Sequence, residues 1–425
     1  MAPDPVTRGL KVYRVGGSVR DQLLGLPGQD RDWVVVGASS EMLSQRGFRQ
    51  VGANFPVFLH PHTREEYALA RTERKSAPGY LGFAVDSSAE VTLEQDLLRR
   101  DLTINAMACS ADGRIIDPYG GQEDLRCKIL RHVSAAFAED PVRVLRVARF
   151  VARFAPLGFT VHPSTLRLMQ GMVAAGEVDH LVAERVWQET CRALVEPAPV
   201  QFFCVLIECD ALERIFPEID ALYGVPQTRR YHPEIDSGTH TMLVLEATRA
   251  LSDEPEVLFA ALVHDLGKAL TPLAELPGHR GHEQRGLALI DALCERLRVP
   301  RRFRRLALLV CRNHLQMHHL ERLRSRTVLR LLESLQAFRQ VQRVEQFACV
   351  CEADTQGRGN SERLPYPQRQ WLLQACQVAA AVDCAAVAAG QSGPKRIAAA
   401  ITAARVAAID RVRQQWVVPY SRTGS

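Results

Sequence analysis

Residues 15–36 read VGGSVRDQLLGLPGQDRDWVVV, and the fold is decided there. The first eleven of them give the end of a strand, a Gly16-Gly17 turn and a helix beginning near Ser18. Two glycines let a backbone approach a phosphate with no Cβ in the way, and the N–H groups opening a helix favour an anion. Arg20 can reach the same phosphates. A Gly-Gly pair before a helix is on its own an ordinary tight turn, and this one is not the dinucleotide fingerprint, whose third glycine Arg20 displaces. Asp30-Arg31-Asp32 then precede the apolar run 33–36, so two carboxylates open a strand. Residues i and i+2 of a strand share a face. Carboxylates held side by side repel unless a cation sits between them, and Mg²⁺, with its oxygen preference, suits the pair. An isolated DxD is commonly solvated surface; the turn and helix just before it turn the reading toward a site.

Outward from this segment, 425 residues exceed what one core usually serves, and 47% apolar with 24% charged residues is ordinary globular composition. The formal charge of +5 permits a nucleic-acid partner without requiring one. No apolar run is long enough for a signal-peptide core or a membrane span, so a cytoplasmic protein is expected. Eleven cysteines lacking a CxxC pair read as reduced, structural side chains. Up to about Asp117, short β-branched runs (33–36, 67–70, 114–116) alternate with helical patterns, an α/β head; from Asp140 onward apolar residues recur at three and four, and the rest is mainly helical.

Within the head, LLRRDLTINA places Arg99, Arg100, Asp101 and Asn105 on one predicted helix, with Asp101 and Asn105 a turn apart. They form either a surface ion-pair cluster or a brace for the active-site strand, with Arg100 on the nucleotide. EDPVRVLRVARF puts Glu139 and Asp140 at a helix start, Pro141 just inside it, and Arg143, Arg146 and Arg149 at steps of three. The basic segment 71–83 reads as a loop near the site or a surface hairpin.

The motifs GGSVRD, DRD, RRDLTINA and EDPVRVLR, in this order and spacing, resemble the bacterial class II tRNA nucleotidyltransferases, the CCA-adding enzymes of the polymerase β superfamily. The resemblance covers nearly the whole chain and is closest to the variant with an appended HD domain. It implies that Asp30 and Asp32 hold Mg²⁺, that Gly17 and Arg20 hold the triphosphate, and that Arg100 contacts the incoming nucleotide. It further implies that Asp101 lies next to the ribose and that Asp140 and Arg143 read the base. The last role has its own rationale. Cytosine and adenine each offer an amine donor beside a ring-nitrogen acceptor, which a carboxylate beside a guanidinium complements; a wrong base leaves buried polar groups unpaired. Arg146 and Arg149 are expected either to add charge near the phosphates or the base, or to form a solvated or RNA-facing stripe.

In LFAALVHDLGK an apolar helix ends at His264-Asp265, with Gly267 as the expected C-cap. With His240 upstream, imidazole and carboxylate from neighbouring helices suit a transition metal or Mg²⁺. This resembles the HD phosphohydrolases, whose pattern ends in a late aspartate; Asp354 is taken as that ligand, with His279, His282, His314 and His318 as competitors. That resemblance implies phosphatase, 2′-nucleotidase and 2′,3′-cyclic phosphodiesterase activities with nickel as activator.

The expected layout is a nucleotidyltransferase head over 1–145, a helical neck and body over 146–235, an HD domain over 236–340 and a helical tail over 341–425. The expected partners are tRNA, ATP and CTP, with no membrane, in a monomer or weak homo-oligomer. Two alternatives stand beside CCA addition: a poly(A) polymerase, against which Gly52-Ala53-Asn54-Phe55 replaces that family's basic stretch, and an RNA-binding phosphohydrolase with an inactive head.

Overall fold

The structure, a computed structural model, describes residues 4–28, 31–51, 57–75, 83–228, 236–358 and 365–415. Asp30, the stretch 52–56 and residues 76–82 of the basic segment lie outside the described residues. The chain divides into two compact units, Met1–Glu189 with Gln201–Ile215, and Thr190–Val200 with Phe216–Ser425.

The first unit is built on strands β1 (Lys11–Val15), β2 (Asp32–Val36), β3 (Arg49–Val51), β4 (Val57–Leu59), β5 (Glu66–Leu69), β6 (Thr72–Lys75), β7 (Phe83–Asp86), β8 (Ala108–Cys109) and β9 (Ile115–Ile116). Seven of them form one mixed sheet in the order β3-β4-β5-β2-β1-β8-β9, while β6 and β7 pair antiparallel with each other. Strand β2 is central because both of its faces are apolar. Val34 and Val36 pack with Val15 and Leu97, and Trp33 and Val35 with Leu43 and Phe58 on the other side. Its antiparallel register with β1 sets Val15 opposite Asp32, so the turn that follows Val15 lies beside that carboxylate.

Helices α1 (Gly17–Leu23), α2 (Ser40–Gln45), α3 (Leu93–Leu98) and α4 (Gly121–Cys127) complete the head. Helix α3 ends at Leu98, so Arg99 to Asn105 do not form one helix as expected. The Asp101 carboxylate accepts the N–H of Leu102 at 2.8 Å, a local bond that competes with helix continuation, and Leu102 is extended before a short 3-10 turn over Thr103–Asn105. Helix α5 (Val142–Phe154) buries Val144, Leu145, Val147, Ala148 and Val151 on one side and carries arginines at 143, 146, 149 and 153. A two-stranded parallel pair, β10 (Ile129–Leu130) and β11 (Thr160–Val161), precedes α6 (Pro163–Ala174), α7 (Ala183–Leu194), α8 (Val200–Glu208) and α9 (Leu212–Ile215).

The second unit is helical: α10 (Pro217–Asp220), α11 (Ser237–Leu251), α12 (Pro255–Val263), α13 (His282–Arg296), α14 (Arg301–His318), α15 (Ser325–Ser334), α16 (Gln342–Gln356), α17 (Pro367–Ala380), α18 (Cys384–Ala389) and α19 (Pro394–Gln415). Helix α12 is wholly apolar and buried from Val257 to Val263, and α11, α14 and α16 pack against it. His264 and Asp265 follow directly at its end. Gly267 is not a C-cap: it lies in a 3-10 turn over Leu266–Leu270, where a Cβ would meet the His282 carbonyl oxygen at 1.9 Å. Its missing side chain lets the turn carrying Asp265 press against the start of α13. All eleven cysteines are free thiols, and no helix of the described residues is long and apolar enough to cross a membrane.

Candidate active sites

The head contains a cavity of about 560 Å³ lined by nine arginines and three aspartates, together with Gly16, Gly17, Asn105 and Phe150. Every head residue given a metal- or nucleotide-binding role from the sequence lines it except Asp30, which lies outside the described residues. Gly16 is the N-cap of α1 at φ 68, a conformation that favours glycine, and a Cβ there would come within 3.0 Å of an Arg100 nitrogen. The exposed Asp32 shares this cavity.

The arginines are held in place by buried acids. Asp96, 0% exposed, takes Arg99 at 2.8 Å and Arg100 at 3.1 Å. Burial alone would raise the Asp96 pKa, but Arg100 and Arg99 outweigh it and hold the carboxyl below its usual value. Asp101 accepts from Asn105 at 3.0 Å and from Arg146 at 2.8 and 2.7 Å, and these partners depress its pKa strongly against the opposing effect of burial. Arg20 is 3% exposed; it donates to Asp21 at 2.8 Å and to the side-chain Oδ1 of Asn105 at 2.6 Å, and lies over the Phe154 ring at 4.9 Å. Asp101 and Asn105 thus meet, as expected, although without a shared helix.

At the start of α5, the Asp140 carboxylate receives both ends of the Arg185 guanidinium, at 3.0 and 2.7 Å. Arg143 donates instead to the carbonyls of Ala136 and Arg99, at 2.8 and 2.6 Å. Arg149 is tied to Glu189 at 2.6 Å. Arg185 and Glu189 were not singled out in the sequence. The one signal was their spacing of four on α7, which puts both on one helix face.

The second site gathers at the end of α12. Among the described residues, two sets of metal-ligating atoms lie within 4.8 Å of one another: His240, His264 and Asp265, and Asp265, His282 and His314. His240 is 3.1 Å from Asp354, whose other oxygen meets His318 at 2.6 Å, and Tyr366 contacts the far nitrogen of His318 at 3.1 Å. His279 stands aside, bonded to Thr271 and the Pro226 carbonyl. Lys268 reaches Asp265 at 2.5 Å. Burial raises the Asp265 pKa, but His264 and Lys268 overcome it and keep the carboxylate well below its usual range; burial pushes His314 down to about 3. His264 Nε2 and Asp265 Oδ1 are buried and hydrogen-bond to no described residue, the condition in which an ion is accommodated best.

Residues 12–131 match the Poly A polymerase head domain family, 158–223 the family described as "Probable RNA and SrmB- binding site of polymerase A", and 238–346 the HD domain family. The multifunctional CCA protein of Alkalilimnicola ehrlichii is 58% identical over 96% of this chain and 99% of its own. That of Methylococcus capsulatus is 56% identical over 95% of each chain. Among solved structures, the Bacillus stearothermophilus CCA-adding enzyme in complex with CTP matches with a TM-score of 0.63 at 22% identity, covering 96% of this chain and 94% of that one. The Thermotoga maritima CCA-adding enzyme complexed with tRNA matches with a TM-score of 0.57 at 17% identity, covering 96% and 91%.

Proposed function

Because the chain belongs to the multifunctional CCA protein family, and is thus a tRNA nucleotidyltransferase with an HD domain, we propose that its head completes and repairs the 3′-terminal CCA of tRNA from CTP and ATP with no nucleic-acid template. One observation carries the reading: nine arginines against three aspartates line a single cavity, a charge balance suited to a triphosphate.

Asp32 is a hard oxygen donor exposed at that cavity, which fits a divalent cation shared with Asp30, two positions earlier in sequence. Mg²⁺ bound there would lower the pKa of the RNA 3′-hydroxyl and stabilise the departing pyrophosphate. The side chains do the positioning. Gly17 and Arg20 hold the triphosphate, Arg100 and Arg146 add charge from positions fixed by Asp96 and Asp101, and Arg149 does so from Glu189. Asp101 lies next to the ribose. Asp140 and Arg143 read the base. Arg185 fixes the plane of the Asp140 carboxylate and leaves lone-pair capacity on Oδ2 for the exocyclic amine of cytosine or adenine.

In the second unit His240, His264, Asp265 and Asp354 hold a divalent transition metal, with Ni²⁺ suited to the imidazole and carboxylate donors. This site supplies phosphatase, 2′-nucleotidase and 2′,3′-cyclic phosphodiesterase activity. Lys268, held by Asp265 and the Gln227 side chain, would offer its charge to a phosphoryl oxygen. A protein acting on tRNA in this way works in the cytoplasm.

The test is incubation with tRNA lacking its 3′ end and each labelled nucleotide in turn. Incorporation of C followed by A is expected. A long A-only product would instead make the chain a poly(A) polymerase, and no incorporation would leave the phosphohydrolase alone.

A further inference from the structure

Asp21 divides its carboxylate between two arginines of the head cavity. Its Oδ1 lies 2.8 Å from Nε and from one outer nitrogen of Arg20, and its Oδ2 accepts from Arg153 at 3.1 Å. The Arg20 guanidinium is 5.3 and 4.9 Å from the ring centroids of Phe150 and Phe154, and that of Arg153 is 5.2 Å from Phe154. One buried anion and two aromatic rings therefore hold two cations side by side. The two differ in what stays available. A guanidinium carries five N–H groups on three nitrogens. All three nitrogens of Arg20 face Asp21 or the Asn105 side chain, and the residue is almost fully buried. Arg153 turns one nitrogen to Asp21, bonds no other acceptor among the described residues, and keeps 24% of its side chain exposed.

Helix α5 orders the cavity along its axis. Arg143, Arg146, Arg149 and Arg153 all line it, within about a third of the helix circumference, and Arg153 stands about 15 Å along the axis from Arg143. Each step meets a different part of the head. Arg143 belongs with the base-reading Asp140, and Arg146 bonds Asp101 at the ribose. Arg153 bonds Asp21, whose other oxygen fixes Arg20 at the triphosphate. Base, sugar and phosphate is also the order of a nucleotide's own parts, so the far end of the triphosphate falls at Arg153.

We infer that Arg153 binds the terminal phosphate of the incoming nucleoside triphosphate, with Asp21 as the positioning residue that keeps its guanidinium beside Arg20. The inference rests on the reading of the head cavity as a nucleotide site, and the experiment separates the two. A terminal phosphate offers several charged oxygens at once, which suits a planar fork of free N–H groups. A nucleoside diphosphate lacks that group, so Arg153 contributes to the choice of triphosphate over diphosphate.

Full-length chain is titrated by calorimetry with CTP and with CDP, in Mg²⁺ and without RNA, so that no transfer occurs. Arg153→Gln should weaken CTP binding about 10-fold and change CDP binding less than about 2-fold. Arg153→Lys should fall between, because an ammonium keeps the charge but not the fork. Equal weakening of both nucleotides, in a variant whose thermal unfolding matches the parent's, would mean that Arg153 acts only through Asp21 and Arg20, and it overturns the inference. Unchanged CTP binding does the same. The parent is also treated with phenylglyoxal, and modification of Arg153 is followed by peptide mass spectrometry. CTP should protect Arg153 and CDP should not. Equal protection by the two, or no reaction of Arg153 in the free protein, overturns the inference, and this reading does not depend on how the variants fold. A parent that binds neither nucleotide brings down the nucleotide reading of the cavity itself.

Discussion

The head cavity and the histidine cluster have opposite hydrogen-bonding balances. In the head, nine arginines crowd one cavity with only three aspartates in its lining, an excess of donors and positive charge. In the second unit, the Nε2 lone pairs of His264, His282 and His314 converge on Asp265, an excess of acceptors relieved on the protein's side by Lys268. The first balance calls for an anion and the second for cations. Both sites are charge networks, yet the class of ligand follows from which kind of group is left over once the internal pairs are counted.

The strongest way to break this contrast is to remove one proposed metal ligand from each site. Asp32→Ala should lower nucleotide addition by at least about 100-fold and leave hydrolysis of a 2′,3′-cyclic nucleotide unchanged. Asp354→Ala or His264→Ala should do the reverse, abolishing the cyclic phosphodiesterase and sparing CTP incorporation. Loss of both activities in either variant would mean that the sites are not separate in chemistry.

The next prediction sharpens the anion side. Arg143→Ala should relax base choice, lowering the ratio of kcat/KM for CTP over UTP by about 100-fold. Arg185→Ala should lower the same ratio by about 10-fold, because it frees the Asp140 carboxylate to rotate. Arg185→Lys should not restore it, since an ammonium cannot make the bidentate grip. Unchanged discrimination in Arg143→Ala would remove the base-reading role from this pair.

The smallest expected effect is on stability. The folded-state pKa of Asp96 lies below its ordinary value, so its contribution is full above about pH 4 and is lost as the pH falls through the folded pKa. Asp96→Asn should destabilise the head by about 2 kcal/mol at neutral pH, less than a fully buried pair because both arginines keep some exposure. Thermal unfolding of the two proteins should begin to converge as the pH falls below about 4 and should coincide only below the folded pKa of Asp96.

Much of the head was legible because its signals are local. A Gly-Gly turn, a helix and a carboxylate opening a strand all lie within residues 15–36, and β1 and β2 pair directly to bring Val15 beside Asp32. The helix predicted through Arg99 to Asn105 failed because Asp101 bonds the next backbone N–H, a competition that residue spacing does not reveal. Arg185 escaped notice because its partner, Asp140, is forty-five residues away in sequence. In the second unit His264 and Asp265 were legible as an adjacent pair at the end of an apolar helix. His282 and His314 were weighed only as rivals for one late ligand position; that they meet Asp265 depends on Gly267 allowing α13 to approach, a packing fact that motif spacing does not carry.

The account is tested most directly by anomalous diffraction from crystals of the full chain grown with CTP and Mn²⁺. It predicts the triphosphate among the arginines of the head cavity, one set of anomalous peaks at Asp32 and another around Asp265. A triphosphate seated at the histidine cluster, or a head cavity with neither nucleotide nor ion at Asp32, would contradict it.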